Sequence, residues 1–280
     1  MKVMFYLIVM LCLIIFPDDT AQSAWNALSI WGKNVVPVLF PYMFFSRMLC
    51  ASIDGSRFPP VLLAASLGML GGSPSGAMFT AGYIEKISSR NLYTLIALTG
   101  TISPMFLLGT LRAWTNDSIL CRSLLLCHWL GAALSALFVH MLYQEPEQQR
   151  CVNSKPAPSS SASLTVQSID AILQVGGCII SYSVLAAIIG KLPIPLPHFH
   201  MLLHAALEIS GGAYSICQSS LPVGMRSILL SAALGFSGFS ILSQNHAMLM
   251  QIGISMKQLF CLAILRAICS AICMALLQCL

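Results

Sequence analysis

Apolar segments with very few charged residues follow one another along almost the whole chain. Only 8% of the residues are charged and 57% are hydrophobic, whereas a typical soluble domain has about 25% charged residues. A helix that spans a bilayer needs about 20 apolar residues, so a chain of 280 residues has room for about eight or nine such segments. The pattern predicts an all-α integral membrane protein, a polytopic helical bundle in a lipid bilayer. It excludes a soluble globular domain, a disordered chain and a nucleic-acid binder.

The net charge and the cysteines do not by themselves indicate an acidic ligand, a metal or a cofactor. The formal net charge of +5 is more readily explained by cytoplasmic loops than by an acidic partner. Ten of the 11 cysteines lie in apolar runs, and Cys151 lies in a polar segment. No C-x-x-C pair occurs, and a free cysteine packs as a small hydrophobe. We therefore expect packing roles for the cysteines, with no metal site and no cofactor.

The chain divides into four parts. Residues 1–23 form an N-terminal transmembrane or signal-anchor segment, which is either retained or cleaved after Ala21-Gln22-Ser23; retention is the favoured interpretation because a polytopic protein needs no removable signal. Residues 24–143 form a first repeat, which opens with an amphipathic interfacial helix over 24–34 and a proline-kinked span. Residues 144–168 form a polar linker, and residues 169–280 form a second repeat.

The two repeats match element by element, although their sequences are only weakly similar. Each has a long opening helix, two apolar segments interrupted by Gly, Ser or Pro, and a closing helix. The interrupted segments, which are broken or re-entrant helices in this interpretation, are residues 71–79 and 100–106 in the first repeat and 207–215 and 235–240 in the second. Interruptions at corresponding places in two halves are the best sequence indication of a transporter's binding site.

Backbone at a helix break has free N–H and C=O groups that lipid cannot bind, so it is tolerated only against protein or a wet cavity. Helix N-termini also offer N–H donors to an anion. The alternative explanation of these small residues is close helix packing. The predicted solute-binding residues are Ser73, Pro74, Ser75, Gly76, Ser103, Pro104, Glu208, Ser210, Gly211, Gly212, Ser237, Gly238 and Ser240.

Ionisable residues inside apolar segments are functional candidates. Glu208 could carry a coupling proton or sodium ion, or it could be a structural carboxylate. His200 and His204 share a helix face with Glu208, which suggests a proton relay more than a metal site. Arg266 could pair with Glu208, line a solute path or snorkel to the membrane surface. Residues 244–246 could face a cavity after the last break.

At these motifs the chain resembles the YlbJ/SpoVV-type sporulation integral membrane proteins, which carry the nucleoside-recognition or "gate" domain. The similarity runs over most of the chain, with serine at position 73 where the family motif has tyrosine. The resemblance implies a role in endospore formation, with uptake of dipicolinic acid into the forespore across the outer forespore membrane. The similar motifs are residues 25–31, 36–44, 72–77, 99–110, 207–212 and 235–240.

Two classes of function other than transport, an enzyme and a scaffold, are compatible with single features of the sequence. Gly235-Phe236-Ser237-Gly238 matches the G-x-S-G of rhomboid-type intramembrane proteases, but no histidine with a matching motif is placed to take the serine proton. We therefore expect no enzyme. A non-transporting membrane scaffold for spore assembly, docking through the 144–168 linker, is the alternative to a transporter. Homo-oligomer formation is left open.

Overall fold

A computed structural model describes residues 2–52, 59–82, 88–143, 161–191 and 198–279. Every regular element in these ranges is a helix. Those of the first half are α1 (Lys2–Ile15), α2 (Pro17–Ile30), α3 (Val36–Ser52), α4 (Pro60–Gly71), α5 (Ser75–Gly82), α6 (Ser89–Thr99), α7 (Arg112–Thr115) and α8 (Ser118–Leu142). Those of the second half are α9 (Ser161–Ile189), α10 (Phe199–Leu207), α11 (Ile209–Cys217), α12 (Val223–Phe236), α13 (Gly238–Leu249) and α14 (Met256–Gln278).

Five helical stretches among the described residues are long and apolar enough to cross a membrane. They are Pro17–Ser52, Ser118–Leu142, Ser163–Ile189, Val223–Ile252 and Met256–Gln278. The helical membrane class predicted from the sequence is therefore confirmed, while the expected count of about eight or nine segments is not. The difference arises because several of the expected segments are interrupted, and each helix of the pairs α4–α5 and α10–α11 is shorter than a bilayer requires.

The outward faces of the long helices are apolar. On α14, isoleucines 264, 268 and 272 and Leu276 recur every four residues and are 38–62% exposed. A spacing of four residues places them on one face of the helix. An exposed apolar stripe of this length would be costly in water, so this face contacts lipid.

The N-terminal region is more continuous than the sequence pattern suggests. Helix α2 passes through a π-helical turn at Trp31–Val35 directly into α3, so residues 24–34 are not a separate interfacial helix. Pro37 has no N–H to donate, and a wider turn just before it accommodates this loss without ending the helix. The Trp31 indole N–H donates to the carbonyl of Ile172 on α9 at 3.1 Å. This tryptophan therefore packs against protein.

Small residues bring α8, α12 and α14 close together. The Ser231 hydroxyl donates to the carbonyl of Ser270 at 2.8 Å, and a Cβ on Gly235 would lie 2.8 Å from the Cα of Ala267. A Cβ on Gly131 would collide with Ser270. This packing fixes the end of α12, where the chain is interrupted, against the middle of α14.

The predicted linker falls mainly outside the described residues. Residues 144–160, with Cys151 among them, are not described, and α9 already begins at Ser161. The division into two repeats joined by a linker stays a prediction.

Candidate functional site

The first interruption lies between α4 and α5. Gly72 has a φ of +65° and the Ser73–Pro74 peptide bond is cis. The Ser73 N–H donates to the carbonyl of Thr101 at 2.7 Å, and a Cβ on Gly72 would collide with the backbone of Ser103. Only glycine combines a positive φ with so close an approach. The first break is therefore packed directly against the second.

The second interruption follows α6. The N–H of Ile102 donates to Nε2 of His128 on α8 at 3.0 Å. Ser103 begins the next helical turn, because both its carbonyl and its hydroxyl accept from the N–H of Phe106. His128 thus binds a backbone donor that the interruption would otherwise leave without a partner.

The third interruption is made by Glu208. Its backbone is extended, with a φ of −139°, and separates α10 from α11. The carboxylate accepts from the N–H of Ser210 at 3.0 Å and from that of Gly211 at 2.8 Å. Glu208 is therefore the N-cap of α11, and the two N–H groups predicted to face the solute bind this carboxylate. Glu208 is 5% exposed, which makes the cap a buried one.

The fourth interruption contacts both the second and the third. Ser237 has a φ of 72° and separates α12 from α13. Its hydroxyl donates to the carbonyls of Leu234 at 3.0 Å and Gly100 at 3.5 Å. Neither acceptor is the histidine that a serine-protease mechanism would need beside this hydroxyl. A Cβ on Gly238 would lie 3.3 Å from the backbone nitrogen of Ile209. The fourth break thus joins two breaks that lie far apart in the sequence.

The four interruptions form one continuous cluster in the interior. The first contacts the second, the second contacts the fourth, and the fourth contacts the third. A further bond closes the cluster, because the Asn245 amide on α13 donates to the Ser73 hydroxyl at 3.1 Å. The predicted residues on all four breaks are thereby brought together, and Ser75, Ser237 and Ser240 are at most 1% exposed.

Several buried polar atoms at this cluster have no hydrogen-bond partner among the described residues. They are the hydroxyls of Ser75 and Thr101, Nδ1 of His128 and Oδ1 of Asn245. Such atoms are rare in proteins, and a bound water, ion or ligand is one explanation for a group of them in one place. Sequence reasoning missed Thr101 and His128. His128 had the available signal, because it is an ionisable residue in the apolar run of α8.

The position of Arg266 excludes two of the alternatives predicted from the sequence, snorkelling to the surface and pairing with Glu208. Its side chain is 2% exposed, so it does not snorkel to the surface. Its Nε donates to the carbonyl of Gly235 at 2.8 Å and its Nη1 to that of Ala97 at 3.4 Å. The guanidinium does not pair with Glu208. The expectation was wrong because the carbonyls near the ends of α6 and α12 compete for the guanidinium.

The histidines before Glu208 do not assemble a metal-ligand set. Within the described ranges, no three His, Cys, Asp or Glu side chains are arranged to hold a metal ion, and this includes His200, His204 and Glu208. A proton relay from His204 to Glu208 stays a prediction.

Two cavities open elsewhere on the described surface. One of about 550 Å³ is lined by residues of α6, α8 and α14, among them Tyr93 and Gln258. One of about 400 Å³ lies between α3 and α9 and is lined by Arg47, Gln167 and Asp170. None of the predicted solute-binding residues lines either cavity.

Apolar helices with lipid-facing stripes and a buried cluster of interrupted helices define an integral membrane protein of the polytopic helical class. The chain is similar to the sporulation integral membrane protein YlbJ of Bacillus subtilis (strain 168), with 23% identity over 331 aligned residues, which cover 98% of this chain and 81% of that protein. Similarity over nearly the whole chain supports a YlbJ-type family assignment, so the predicted resemblance is confirmed. No family model and no solved structure matches the chain.

Proposed function

We propose that this protein is a membrane transporter of a small anionic solute and that the cluster of four helix breaks is its solute site. The observation that carries the proposal is the chain of contacts that joins all four breaks into one cluster in the interior. Close packing of small residues would also bring the breaks together, so the polar atoms left at the cluster are the second observation that favours a solute site. The unpartnered polar atoms of Ser75, Thr101 and His128 beside the breaks supply donors that an anion or its water would satisfy.

The proposal includes two repeats of matching organisation. The helix order from α3 to α8 parallels that from α9 to α14: a long helix, a pair with one break, a second segment with one break, and a long closing helix. Each repeat then contributes two breaks to the site. Movement of one repeat against the other around a fixed site is the alternating-access mechanism of such transporters.

Glu208 has a specific role in this mechanism. In the structure its carboxylate binds the two N–H donors at the start of α11. A protonated carboxyl is a weaker acceptor for these bonds, so protonation would free Ser210 and Gly211 to bind a carboxylate of the solute. Glu208 would thus bind a proton when a solute carboxylate takes its place at the helix N-terminus, so that proton and anion are bound and carried together. A sodium ion is the other coupling ion that the sequence leaves open.

The solute we favour is dipicolinic acid, because the family resemblance implies it and its two carboxylates suit a site rich in backbone and hydroxyl donors. A nucleoside-like solute is the second choice. The similar Bacillus subtilis protein is named as a sporulation integral membrane protein, which supports a role for this chain in sporulation. The outer forespore membrane is the location that this role implies.

The test is uptake of labelled dipicolinate into cells that express this chain, compared with an empty vector and with Glu208→Gln. The proposal predicts uptake above the vector and its loss in Glu208→Gln. Normal uptake in the variant would make Glu208 a structural cap only. No uptake from correctly inserted protein would refute dipicolinate transport and favour the scaffold alternative. A scaffold would tolerate changes at the breaks and lose its function when residues 144–160 are deleted.

A further inference from the structure

Arg266 carries a positive charge in the interior, and its hydrogen-bond partners among the described residues are all neutral. It is 2% exposed, and both of the hydrogen bonds that fix its guanidinium go to backbone carbonyls. A buried charge is normally paired with an opposite charge because its desolvation is costly. Something other than a carboxylate therefore compensates the charge of Arg266.

The compensating groups are the ends of two interrupted helices. Ala97 lies two residues before the end of α6, and Gly235 lies one residue before the end of α12. The last four carbonyls of a helix have no partner within the helix, and each helix C-terminus carries about half a negative charge. Two C-termini that meet at one point thus present about one negative charge, which a single cation balances.

The guanidinium fills the space between the two helix ends, and the surrounding backbone packs closely around it. A Cβ on Gly100, the residue that follows α6, would lie 2.5 Å from Nη1 of Arg266. On the other side, the close approach of α14 to Gly235 holds the arginine backbone in position. The side chain therefore occupies the carbonyl-lined space where the second and fourth breaks meet.

We propose that Arg266 is a built-in cation: it takes the place that a bound monovalent cation would occupy at the C-termini of α6 and α12. The protein then binds no sodium ion at this position. The consequence for transport rests on the proposed function: no sodium ion couples transport at this position. A proton at Glu208 is then the remaining coupling ion. The part that concerns ion binding and stability holds without any transport.

The first test is the thermal unfolding midpoint of the purified wild-type protein in detergent, in sodium, potassium and choline chloride at equal ionic strength. We expect the three midpoints to agree within about 1 °C, because binding of an ion to the folded state would raise the midpoint in that salt alone. A rise specific to sodium that persists in Arg266→Lys and Arg226→Ala would place a sodium ion elsewhere. That result would overturn the conclusion that a proton at Glu208 is the remaining coupling ion.

The second test removes the built-in cation and offers a free one. We expect Arg266→Ala to lower the midpoint by about 5 °C or more and low-millimolar guanidinium chloride to restore part of this loss relative to choline chloride. Arg226→Ala is the matched control, because Arg226 also donates to a carbonyl, that of Cys217 at 3.3 Å, but lies half-buried near the start of α12. It should show neither effect.

If Arg266→Ala does not fold, two further variants test whether the positive charge at position 266 stabilises the protein. Arg266→Lys keeps the positive charge. Arg266→Met keeps a long side chain but removes the charge. The inference requires the lysine variant to fold and to have the higher midpoint. Equal midpoints for lysine and methionine, or a guanidinium effect equal to that of choline in Arg266→Ala, would overturn it. Neither result depends on uptake. A failure of the transport proposal can therefore be distinguished from a failure of this inference.

Discussion

Glu208→Ala tests whether the third break is held by a buried cap. In the wild-type protein the two carboxylate oxygens accept from Ser210 and Gly211 at 3.0 and 2.8 Å. The substitution removes both acceptors and leaves two N–H groups at the start of α11 without partners, that of Ser210 buried and that of Gly211 part-buried. Because Glu208 is 5% exposed, water does not readily replace the lost acceptors.

The magnitude follows from three contributions. Loss of an N-cap costs about 0.5–2 kcal/mol, and each buried donor left without a partner costs about 1–3 kcal/mol. Removal of a desolvated carboxylate offsets part of this cost. We expect a net destabilisation of about 2–3 kcal/mol, which lowers the unfolding midpoint by about 4–8 °C in a protein of this size. Glu208→Gln keeps one acceptor oxygen and should lose about half as much.

Asp117→Ala is the matched control, measured by thermal unfolding of the same preparation. Asp117 caps α8 in the same way, since one of its oxygens accepts from Ile119 and Leu120, each at 2.9 Å. Asp117 is exposed, so water can bind the freed N–H groups and the loss should be about 1 kcal/mol. Equal losses for Glu208→Ala and Asp117→Ala, or no difference between alanine and glutamine at position 208, would refute the buried-cap reasoning.

The remaining predictions concern the breaks and the N-terminal helix. Gly72→Ala should lower the unfolding midpoint and abolish uptake, because its Cβ would collide with Ser103. Gly82→Ala should change neither, since no described atom lies within 4 Å of the added Cβ, and equal effects of the two substitutions would contradict the packing of the breaks. Trp31→Phe should cost about 1 kcal/mol in unfolding experiments, because it removes the bond to Ile172; an unchanged midpoint would show that this contact does not stabilise the long N-terminal helix.

The membrane class and the positions of the interruptions could be predicted from the sequence. Few charges among long apolar runs leave no other class of fold, and all four predicted interruptions coincide with helix ends in the structure. Glycine, serine and proline gave this signal because they relieve or impose backbone geometry that a regular helix does not have. The segment around Glu208 has the same signal in Ser210, Gly211 and Gly212.

The partners of Arg266 and the continuity of α2 with α3 could not be predicted in this way. Both depend on residues far apart in the sequence. Arg266 binds carbonyls that belong to α6 and α12, and Trp31 of the long N-terminal helix binds α9. A sequence pattern shows that an arginine lies in an apolar segment but does not show whether it is buried or which helix ends meet it.

The count of spans differs for a related reason. Hydropathy registers an apolar segment whether or not its helix is continuous, so the short helices on either side of Glu208 appear as one span in the sequence. In the structure they are two helices of nine residues each. Hydrophobicity therefore predicts where the chain is apolar, and the local geometry of single residues decides whether it crosses as one helix.

The most direct test of the central claim is equilibrium binding of labelled dipicolinate to the purified protein, its Thr101→Val variant and its Thr80→Val variant. Both threonines are fully buried, but the Thr80 hydroxyl donates to Gly76 at 2.8 Å, whereas that of Thr101 has no partner among the described residues. We predict binding to the wild-type protein, about tenfold weaker binding to Thr101→Val with no loss of stability, and unchanged affinity in Thr80→Val. Absence of binding to the wild-type protein, or equal affinity in all three, would contradict a solute site at the cluster of breaks.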